Sequence, residues 1–470
     1  MCKPYTHHYH QRYPFDTRQS LDFSTISSPM EYFTGRRKSI FLRIPGKTVP
    51  EVVVQPEIRS DENVPSLRRI VSMTPTPLPA VHLKKNRERS VIQGNPWIFS
   101  GSIARVTVPA DIPPGSLCTV HAAAGTLLGY GYYNSRSAIT IRMLSHGDRP
   151  YGNETLRRAV SRAIFLRQHI LDRETDSCRL INSEGDFLPG LIVDKYADGC
   201  VVQLLTAGME RMRDAVFGAL IGVCSPRFIY ERSNTDSRTR EGLGESEGCR
   251  YGEIPDDLVI QESGLRFRVD IASGQKTGFF FDQRDNRRLL GGYAAGRRVC
   301  DCFSYNGPFT VSALAGGAAS VTAVDQSGQA LDLLQRNLTV NELDMGKVTA
   351  RNADAFRYLR EMDESFDCII LDPPKFAKHP GEVERASRGY KDINLLACRK
   401  VAPGGIIFTF SCSHAVDVKL FRQIVFAAAA DSGRRFQLLH QLSAGTDHPV
   451  NLAHREGEYL KGLVLRAETP

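Results

Sequence analysis

A cysteine that could do covalent chemistry lies at the end of a predicted strand near the carboxyl terminus. The apolar run 405–411 follows a Pro-Gly-Gly turn and ends at Cys412, which Ser413 and His414 follow. Because open α/β sheets bind ligands outside the carboxyl ends of their strands, a thiol at this position would face the ligand crevice. A buried cysteine that only packs as a small hydrophobic side chain is the ordinary alternative.

A carboxylate occupies the same position on the preceding predicted strand. The run 366–371 ends at Asp372, and the two prolines that follow hold it on a stiff turn. Neighbouring strands lie about 5 Å apart, so Asp372 and Cys412 can share one pocket if their strands are adjacent. An aspartate that only stabilises the turn is the alternative.

The elements that would position these two residues form a strand–helix repeat that begins at Arg298. Alternation of this kind indicates a parallel sheet covered by helices. A terminal hairpin, at 436–442 and 459–466, adds an antiparallel edge, so the predicted seven-stranded sheet resembles class I methyltransferases more than dinucleotide dehydrogenases. Strands are predicted at 298–302, 321–325, 348–352, 368–372 and 405–411, and helices at 309–316, 328–341, 355–364, 391–401 and 416–430.

The ends of the first three of these strands carry residues that suit a nucleoside cofactor. Asp301 and Gly307 lie at the first strand-to-helix turn, where a glycine lets the backbone approach a ligand closely. Asp325 follows Gly307 by 18 residues, close to the ~20 expected for an acid that binds a ribose hydroxyl. Asp354 follows the third strand, where it could meet an adenine amino group.

The glycine pattern distinguishes between cofactors. No G-x-G-x-x-G motif is present, and a dinucleotide pyrophosphate needs more open backbone than Gly307 offers. S-adenosylmethionine has no phosphate, and its positive sulfur tolerates an acid such as Asp301. The sequence therefore predicts S-adenosylmethionine.

A thiolate and a carboxylate beside a methyl donor suit methylation of cytosine at carbon 5. That carbon is not nucleophilic, but addition of the Cys412 thiolate to C6 creates an enamine that attacks the methyl group. A base then removes the C5 proton and the thiol is eliminated. Asp372 would hold or protonate the N3/N4 edge of the ring, whereas methylation of an exocyclic amine would need no cysteine.

Composition limits the class of protein. The 470-residue chain is 41% hydrophobic and 24% charged, with no apolar run long enough to span a membrane and no apolar leader, so a cytoplasmic protein is expected. A net charge of +8 favours a polyanionic partner such as nucleic acid. The 11 cysteines show no zinc-ligand spacing, so we expect reduced thiols and no metal.

Four regions are predicted along the chain. Residues 1–79 are rich in Ser, Pro, Arg and His and are expected to be disordered, or to be an extension in front of a natural start at Met73. Residues 80–150 predict a small β-rich domain, 151–272 a central α+β domain, and 273–470 the methyltransferase domain.

Two features of the middle regions bear on function. A basic run with Lys84, Lys85 and Arg87 opens the β-rich domain, and it is either an RNA-binding surface or merely solvated. Trp97 is expected in the core of that domain. The central domain is expected to begin with an amphipathic helix at 153–172, and its polar stretch 233–253 is expected to be a loop.

Seven segments of the chain are together hard to obtain by chance. Through them the chain resembles the ribosomal RNA large subunit methyltransferase I family, S-adenosylmethionine-dependent 5-methylcytosine enzymes with an N-terminal PUA-like domain. The resemblance extends over roughly residues 80–468. The segments are 95–101 (NPWIFSG), 182–194 (NSEGDFLPGLIVD), 274–284 (GQKTGFFFDQR), 301–307 (DCFSYNG), 372–376 (DPPKF), 411–413 (SCS) and 447–450 (DHPV).

The resemblance implies roles for individual residues. Cys412 would be the nucleophile, with Asp372 beside it, and large-subunit rRNA the partner; a homodimer stays open. RNA contacts would come from Lys84, Lys85, Arg87 and Lys375. The cofactor site would consist of Gln275, Thr277, Phe279, Asp301, Ser304, Tyr305, Gly307, Asp325, Asp354 and Asp372.

Some points stay open within this resemblance. The family usually has Thr-Gly-Gly where this chain has Asn306-Gly307-Pro308, and Pro308 removes one backbone donor. The base for the C5 proton is not identified. A guanine-N methyltransferase, in which Cys412 would be structural, and a non-catalytic RNA-binding assembly factor are the competing functions.

Overall fold

A computed structural model describes residues 78–107, 112–272, 274, 277–377 and 379–469. The expectations for residues 1–77, including a natural start at Met73, lie outside the described residues. Within the described ranges, no helix is long and apolar enough to cross a membrane.

The first part of the described chain is a six-stranded sheet with one short helix, α1 (Glu88–Ile92). The strands are β1 (Ala80–Leu83), β2 (Trp97–Phe99), β3 (Ile103–Thr107), β4 (Ser116–His121), β5 (Leu127–Tyr133) and β6 (Ile139–His146). Their order in the sheet is β2-β6-β5-β4-β1-β3. Alternate side chains, among them Val81, Val120 and Ile141, fill its core.

The expectation that Trp97 belongs to this core is wrong. Its indole is half-buried, and Nε1 donates a hydrogen bond to Glu184 Oε1 at 2.8 Å. The ring also packs edge-on against His454, with centroids 4.3 Å apart. Trp97 therefore joins the six-stranded sheet to the rest of the molecule, because an indole N–H that leaves water needs an acceptor.

The central part is a five-stranded sheet of order β11-β10-β9-β8-β7, covered by helices. Its strands are β7 (Cys178–Asn182), β8 (Leu191–Tyr196), β9 (Gly199–Leu204), β10 (Phe228–Ser233) and β11 (Ser246–Gly252). Its helices are α2 (Asn153–Ile170), α3 (Ala207–Arg211), α4 (Arg213–Cys224) and α5 (Asp236–Arg240). The amphipathic helix predicted at 153–172 is confirmed as α2, whose apolar face is buried.

The loop predicted at 233–253 is wrong, because this stretch contains α5 and β11. Strand β11 pairs antiparallel with β10 at the edge of the sheet, and most of its side chains face solvent. An edge strand needs only backbone hydrogen bonds and buries little apolar surface, so its polar sequence gave no strand signal. Arg213 and Arg250 both pair with the buried Glu231 of β10.

A hairpin and a helix lead into the last part of the chain. The hairpin consists of β12 (Val259–Glu262) and β13 (Leu265–Arg268), and the helix is α6 (Arg284–Ala294). Arg287 of α6 donates two hydrogen bonds of 2.7 Å to the Glu262 carboxylate, and both residues are buried. The Arg287 guanidinium also lies 4.8 Å from the ring centroid of Phe279. This bidentate pair fixes the hairpin to α6.

The last part is the predicted seven-stranded sheet, with the order β16-β15-β14-β17-β18-β20-β19. Neighbouring strands from β16 to β18 pair in parallel, and β20 pairs antiparallel with both β18 and β19. The class I methyltransferase fold expected from the sequence is thus confirmed. The strands are β14 (Arg298–Cys302), β15 (Ser320–Asp325), β16 (Val348–Asn352), β17 (Phe366–Leu371), β18 (Val401–Ser411), β19 (Phe436–Ser443) and β20 (Lys461–Ala467).

Five helices complete this part: α7 (Pro308–Ala315), α8 (Gly328–Val340), α9 (Ala355–Glu361), α10 (Val383–Lys400) and α11 (Val418–Asp431). Helix α10 begins earlier than predicted, because its polar first turns lie at the surface. Helix α11 begins two residues later than predicted, because Asp417 caps it by accepting the Leu420 N–H at 2.7 Å. The domain boundaries at 150 and 272 stay a proposal.

Candidate active site

The register of the parallel strands brings the predicted site residues to one edge of the sheet. Asp301 of β14 lies opposite Ala323 of β15 and Ile370 of β17. Leu371, the residue before Asp372, lies opposite Thr409 of β18, three residues before Cys412. Asp325 ends β15, and Asp354 comes two residues after β16. Five predicted residues therefore meet at the carboxyl edge: Asp301, Asp325, Asp354, Asp372 and Cys412.

The turn between β14 and α7 has an unusual backbone. Gly307 has φ +78, and a Cβ added there would lie 2.5 Å from Leu334 Cγ. Two non-glycine residues in the same turn, Phe303 and Tyr305, also have positive φ, at 64° and 50°. Such residues cost about 1–2 kcal/mol each and persist where the surroundings hold them, often at ligand sites. The turn therefore favours close approach of backbone to a ligand.

Asp301 has a buried carboxylate, and only one of its two oxygens has a hydrogen-bond partner among the described residues. It is 1% exposed, and its Oδ2 accepts a hydrogen bond from Thr310 Oγ1 at 2.7 Å. Oδ1 has no partner among the described residues. Burial raises the pKa of Asp301 to about 7, with the Thr310 hydrogen bond opposing and the charges of Asp372 and Asp325 adding to it. A cationic group close to Oδ1 would stabilise the ionised carboxylate and offset the unfavourable free energy of burying its charge.

Two further side chains in the turn have buried polar atoms without a hydrogen-bond partner among the described residues. Ser304 Oγ, and both Oδ1 and Nδ2 of the fully buried Asn306, lack partners in the described part of the chain. Buried polar groups are nearly always paired, so such a cluster indicates a polar ligand. Together with Asp301 they fit the ammonium and carboxylate end of S-adenosylmethionine. Asn306 was missing from the predicted site, although it lies inside a motif that carried the resemblance.

Asp325 and Asp354 are oriented by hydrogen bonds from the backbone. Asp325 accepts the N–H groups of Tyr305 and Ser327, each at 2.8 Å. Asp354 caps α9 by accepting the Arg357 N–H at 2.8 Å, and its other oxygen accepts from Gln326 Nε2 at 2.7 Å. Carboxylate oxygens accept more than one hydrogen bond each, so both can still bind hydroxyl or amino groups.

The aromatic segment after residue 273 differs from expectation. Gln275 lies outside the described residues. Thr277 is buried: its hydroxyl donates to Asp194 Oδ2 at 2.6 Å and accepts from Tyr196 at 3.1 Å. Phe279 is buried between Phe267 and Phe281. Both side chains therefore hold this segment in place, and their contact with the cofactor stays a prediction.

The residues around Cys412 are held firmly while its own side chain is half-buried. Ser413 is fully buried; its Oγ accepts from the Ala377 N–H at 3.2 Å and shares a 3.0 Å hydrogen bond with the Tyr390 hydroxyl. On the other side, Lys461 Nζ donates to the Ser413 carbonyl at 2.6 Å. These hydrogen bonds hold the turn that carries the thiol. The thiol lies at the carboxyl edge of the sheet, where the sequence predicts a nucleophile.

Lys461 is a functional candidate that the sequence analysis missed. It begins strand β20, whose neighbours Leu463, Val464 and Leu465 are buried. A charged residue inside an apolar strand pattern was the available signal. Burial lowers the pKa of Lys461 to about 8, while a charge on Cys412 acts to raise it.

His414 is not poised as an acid at neutral pH. Its ring stacks on Tyr459, with centroids 5.6 Å apart. Desolvation, followed by the positive charges of Lys375 and Lys461, lowers the pKa of His414 to about 4.

The four predicted RNA-binding residues lie in two places. Lys84, Lys85 and Arg87 are exposed between β1 and α1, and Lys84 Nζ donates to the Gly101 carbonyl at 2.9 Å. Lys375 is exposed directly after the Asp372-Pro-Pro turn. Only Lys375 is therefore brought to the candidate active site.

The DHPV motif at 447–450 proves to be a structural junction. Asp447 is fully buried; it accepts from Arg284 at 3.0 Å and from the Arg179 N–H at 2.9 Å, and pairs with His448 at 2.9 Å. Its own carbonyl accepts from Arg167 of α2 at 2.7 Å. This network joins the seven-stranded sheet to α2, β7 and α6.

Two family models match the chain. Residues 245–441 match a model described as S-adenosylmethionine-dependent methyltransferase. Residues 81–146, the six-stranded sheet, match a PUA-like domain.

Curated relatives match nearly over their whole length. The chain is 42% identical over 394 residues to a protein of Tolumonas auensis named ribosomal RNA large subunit methyltransferase I, covering 82% of this chain and 99% of that one. A protein of the same name from Klebsiella pneumoniae is 40% identical over 400 residues, covering 84% and 100%.

Solved structures share the fold. A SAM-dependent methyltransferase from Streptococcus mutans aligns with a TM-score of 0.70 at 23% identity, covering 82% of this chain and 99% of its own. A methyltransferase structure complexed with SAH aligns with a TM-score of 0.71, also at 23% identity and with the same coverage.

Proposed function

We propose that this chain, which belongs to the ribosomal RNA large subunit methyltransferase I family, forms 5-methylcytosine through a covalent adduct of Cys412. The chain is an S-adenosylmethionine-dependent rRNA methyltransferase with a PUA-like domain. The finer proposal depends on one observation. Cys412 follows the last residue of β18, next to the strand that ends before Asp372, at the edge where the acids also converge.

The cofactor would be held by the turn between β14 and α7 and by the acids that follow the next strands. S-adenosylmethionine supplies an electrophilic methyl group on a positively charged sulfur. Asp301 Oδ1 and the unpaired atoms of Ser304 and Asn306 would bind its charged amino-acid end. Asp325 would bind the ribose hydroxyls and Asp354 the adenine amino group. Because Gly307 has no Cβ, the backbone there can lie against the cofactor.

The target base would be activated from the other side of the same edge. The Cys412 Sγ would form a bond to C6 of cytosine, and the electron pair displaced from the C5–C6 double bond would form the bond between C5 and the methyl carbon. The bond between that carbon and the sulfonium sulfur would break at the same time, and S-adenosylhomocysteine would leave. Asp372 would hold the N3/N4 edge, give a proton to N3 when negative charge develops on the ring, and take that proton back when the C5–C6 double bond re-forms. Removal of the C5 proton restores the double bond, and the S–C6 bond breaks to release the thiolate.

Two cysteine variants test this proposal. Cys412→Ala should abolish 5-methylcytosine in large-subunit rRNA while keeping S-adenosylmethionine binding. The matched control is Cys249→Ala, at an exposed cysteine of the central sheet, which should methylate like wild type. Mass spectrometry of nucleosides from rRNA methylated by each variant gives both the base and the yield.

Other outcomes of this experiment overturn the proposal. Undiminished methylation by Cys412→Ala would show that the thiol is structural. A methylated guanine as the product would replace cytosine-C5 chemistry with exocyclic-amine chemistry, for which no cysteine is needed.

A further inference from the structure

Lys461 lies beside the proposed nucleophile in a place where lysines are rare. It is 1% exposed and lies opposite Ser411 in the antiparallel pairing of β20 with β18. Cys412 is the next residue along the chain. Lysine is almost never fully buried unless it is paired, because its ammonium loses the stabilisation that water provides.

The hydrogen-bond acceptors of Lys461 among the described residues carry no net charge. An ammonium has three N–H donors, and two of them go to the carbonyls of Ser413 at 2.6 Å and Tyr459 at 2.8 Å. Carbonyl oxygens satisfy the hydrogen bonds but carry no net charge. A buried ammonium in such a place favours an anion close by.

The charged and titratable groups around Lys461 identify that anion. From the loop after β17 comes Lys375, which repels the ammonium; from the segment after β18 come Cys412, Asp417 and His414. Tyr390 of α10 also faces Cys412, and Tyr459 precedes β20. Asp417 is exposed and caps α11, so its charge is screened by water. Cys412, which acts more strongly on Lys461 than Asp417 does, is the better counter-charge.

We propose that Lys461 is a positioning residue that keeps Cys412 ionised and fixes its turn through the Ser413 carbonyl. This inference rests on the proposed role of Cys412 as the nucleophile. The thiol proton passes to solvent and Lys461 stays an ammonium. When Sγ bonds to C6 the negative charge leaves the sulfur, and it returns to face Lys461 when that bond breaks.

The physical basis is the effect of a close positive charge on a thiol. An ammonium within a few ångströms favours the thiolate and lowers the pKa of the cysteine. Burial lowers the pKa of Lys461 to about 8. The ammonium therefore stabilises the Cys412 thiolate at neutral pH, and this stabilisation is lost as pH rises above about 8.

Alkylation measures this effect without any methylation assay. The full chain is treated with iodoacetamide between about pH 5 and 10, and the Cys412 peptide is quantified by mass spectrometry. The exposed Cys249 is the internal reference in every sample. The variants are Lys461→Met, which keeps the length of the side chain without its charge, and Lys400→Met. Lys400 also donates to a carbonyl, that of Met362, but from the end of α10.

Lys461→Met should move the alkylation midpoint of Cys412 upward by about one pH unit. Below both midpoints the thiolate fraction then falls about tenfold. Since a less acidic thiolate is intrinsically more nucleophilic, the net alkylation rate should fall about threefold. Lys400→Met should leave the Cys412 midpoint unchanged, and Cys249 should behave alike in all three proteins.

The proposal is overturned if Lys461→Met leaves the Cys412 midpoint where wild type has it. If that variant does not fold, the wild-type curve decides, because a midpoint at or above about 8.5, the value of free cysteine, contradicts the proposal. Either result leaves the proposed function standing if Cys412→Ala still abolishes methylation. Loss of the proposed function, in turn, would not alter the alkylation midpoints.

Discussion

Asp301 is a buried residue whose proposed role in cofactor binding would come at the expense of stability. Among the described residues, Thr310 is the one side-chain donor to its buried carboxylate, and Oδ1 has no partner. Because its pKa is raised to about 7, the folded protein holds a proton there that the unfolded chain has lost above about pH 4. The free energy of unfolding therefore falls as pH rises from about 4 to 7. Only above that range is Asp301 ionised and able to bind a cationic group.

We expect Asp301→Asn to stabilise the protein without cofactor and to weaken cofactor binding. At pH 8 the variant no longer ionises a buried group, so its free energy of unfolding should rise by at least about 1 kcal/mol. Loss of the charge should weaken S-adenosylmethionine binding tenfold or more, by about 1.5–3 kcal/mol. Urea unfolding and calorimetric titration at pH 8 measure the two effects.

Asp325→Asn is the matched control for this prediction. Its carboxylate accepts two backbone N–H groups, so an amide there should reduce stability instead of raising it. If Asp301→Asn also loses stability at pH 8, ionisation of the buried Asp301 carboxylate does not destabilise the protein.

Among the elements, the turn from β14 into α7 depends most on local geometry. Gly307 combines a left-handed backbone with a close approach to Leu334, and Pro308 then starts the helix without losing a hydrogen bond. Where the family usually has a second glycine, Pro308 removes one backbone donor. In the structure its missing N–H is one that a helix leaves unpaired in any case.

We expect Gly307→Ala to cost about 2–3 kcal/mol of stability and to weaken cofactor binding. About 1–2 kcal/mol comes from the positive φ and the remainder from displacing Leu334. Urea unfolding gives the first quantity and calorimetric titration of S-adenosylmethionine the second.

Gly317, at the other end of α7, is the control that distinguishes the cost of the positive φ from the cost of the contact with Leu334. It has φ +84, but an added Cβ would come no closer than 3.7 Å to another atom. Gly317→Ala should therefore cost only the backbone part and leave cofactor binding unchanged. Equal effects of both substitutions would show that the contact with Leu334 has no role.

At the scale of the whole molecule, buried ion pairs join regions that the sequence keeps far apart. Asp447 is the centre of this network, which reaches Arg284, Arg179 and Arg167. Burial opposes its ionisation, but His448, Arg284 and the Arg179 N–H outweigh burial and hold the pKa of Asp447 well below its usual range.

We expect Asp447→Asn to destabilise the protein by about 3–5 kcal/mol at pH 7, because Arg284 would remain buried without its partner. The sign of the pH dependence follows from the lowered pKa. The contribution is complete above about pH 4 and is lost as pH falls further, so the difference from wild type should shrink below that pH. Urea unfolding at several pH values measures this.

Asp285→Asn is the control, since Asp285 also pairs with Arg284 but is half-exposed. Its removal should cost about 1 kcal/mol or less. A similar cost for both variants would mean that burial of the Asp447 pair contributes nothing.

RNA binding is the other property of the whole molecule that can be tested. If Lys84, Lys85 and Arg87 contact phosphates, replacing all three by alanine should weaken rRNA binding. It should also lower the slope of log affinity against log salt by up to about 2–3. Filter binding between about 50 and 300 mM salt measures the slope.

Three exposed arginines of α2 are the control set: Arg157, Arg158 and Arg162. Their replacement by alanine should leave the slope unchanged. If the two sets give the same slope, the basic run of the PUA-like domain is only a solvated surface.

The sequence alone determined the class of sheet, the order of its elements and the acids at the strand ends. It could do so because parallel strands alternating with helices leave a strong periodic signal, and because strand ends are adjacent in the sequence to the turns that carry function. It also singled out Cys412 and Asp372. The edge strand β11, most of whose side chains face solvent, carries no such signal, and its sequence predicts a loop instead.

Only the tertiary structure decided what surrounds these residues. The placement of Lys461 beside Cys412 and the pairing of Asp447 with Arg284 bring together residues that are distant in sequence. Packing also leaves the buried polar atoms of Asn306 without a partner among the described residues. Burial, and the pKa values that it shifts, depend on packing from several elements at once. For that reason the sequence did not show that Thr277 and Phe279 are buried and packed against other parts of the chain.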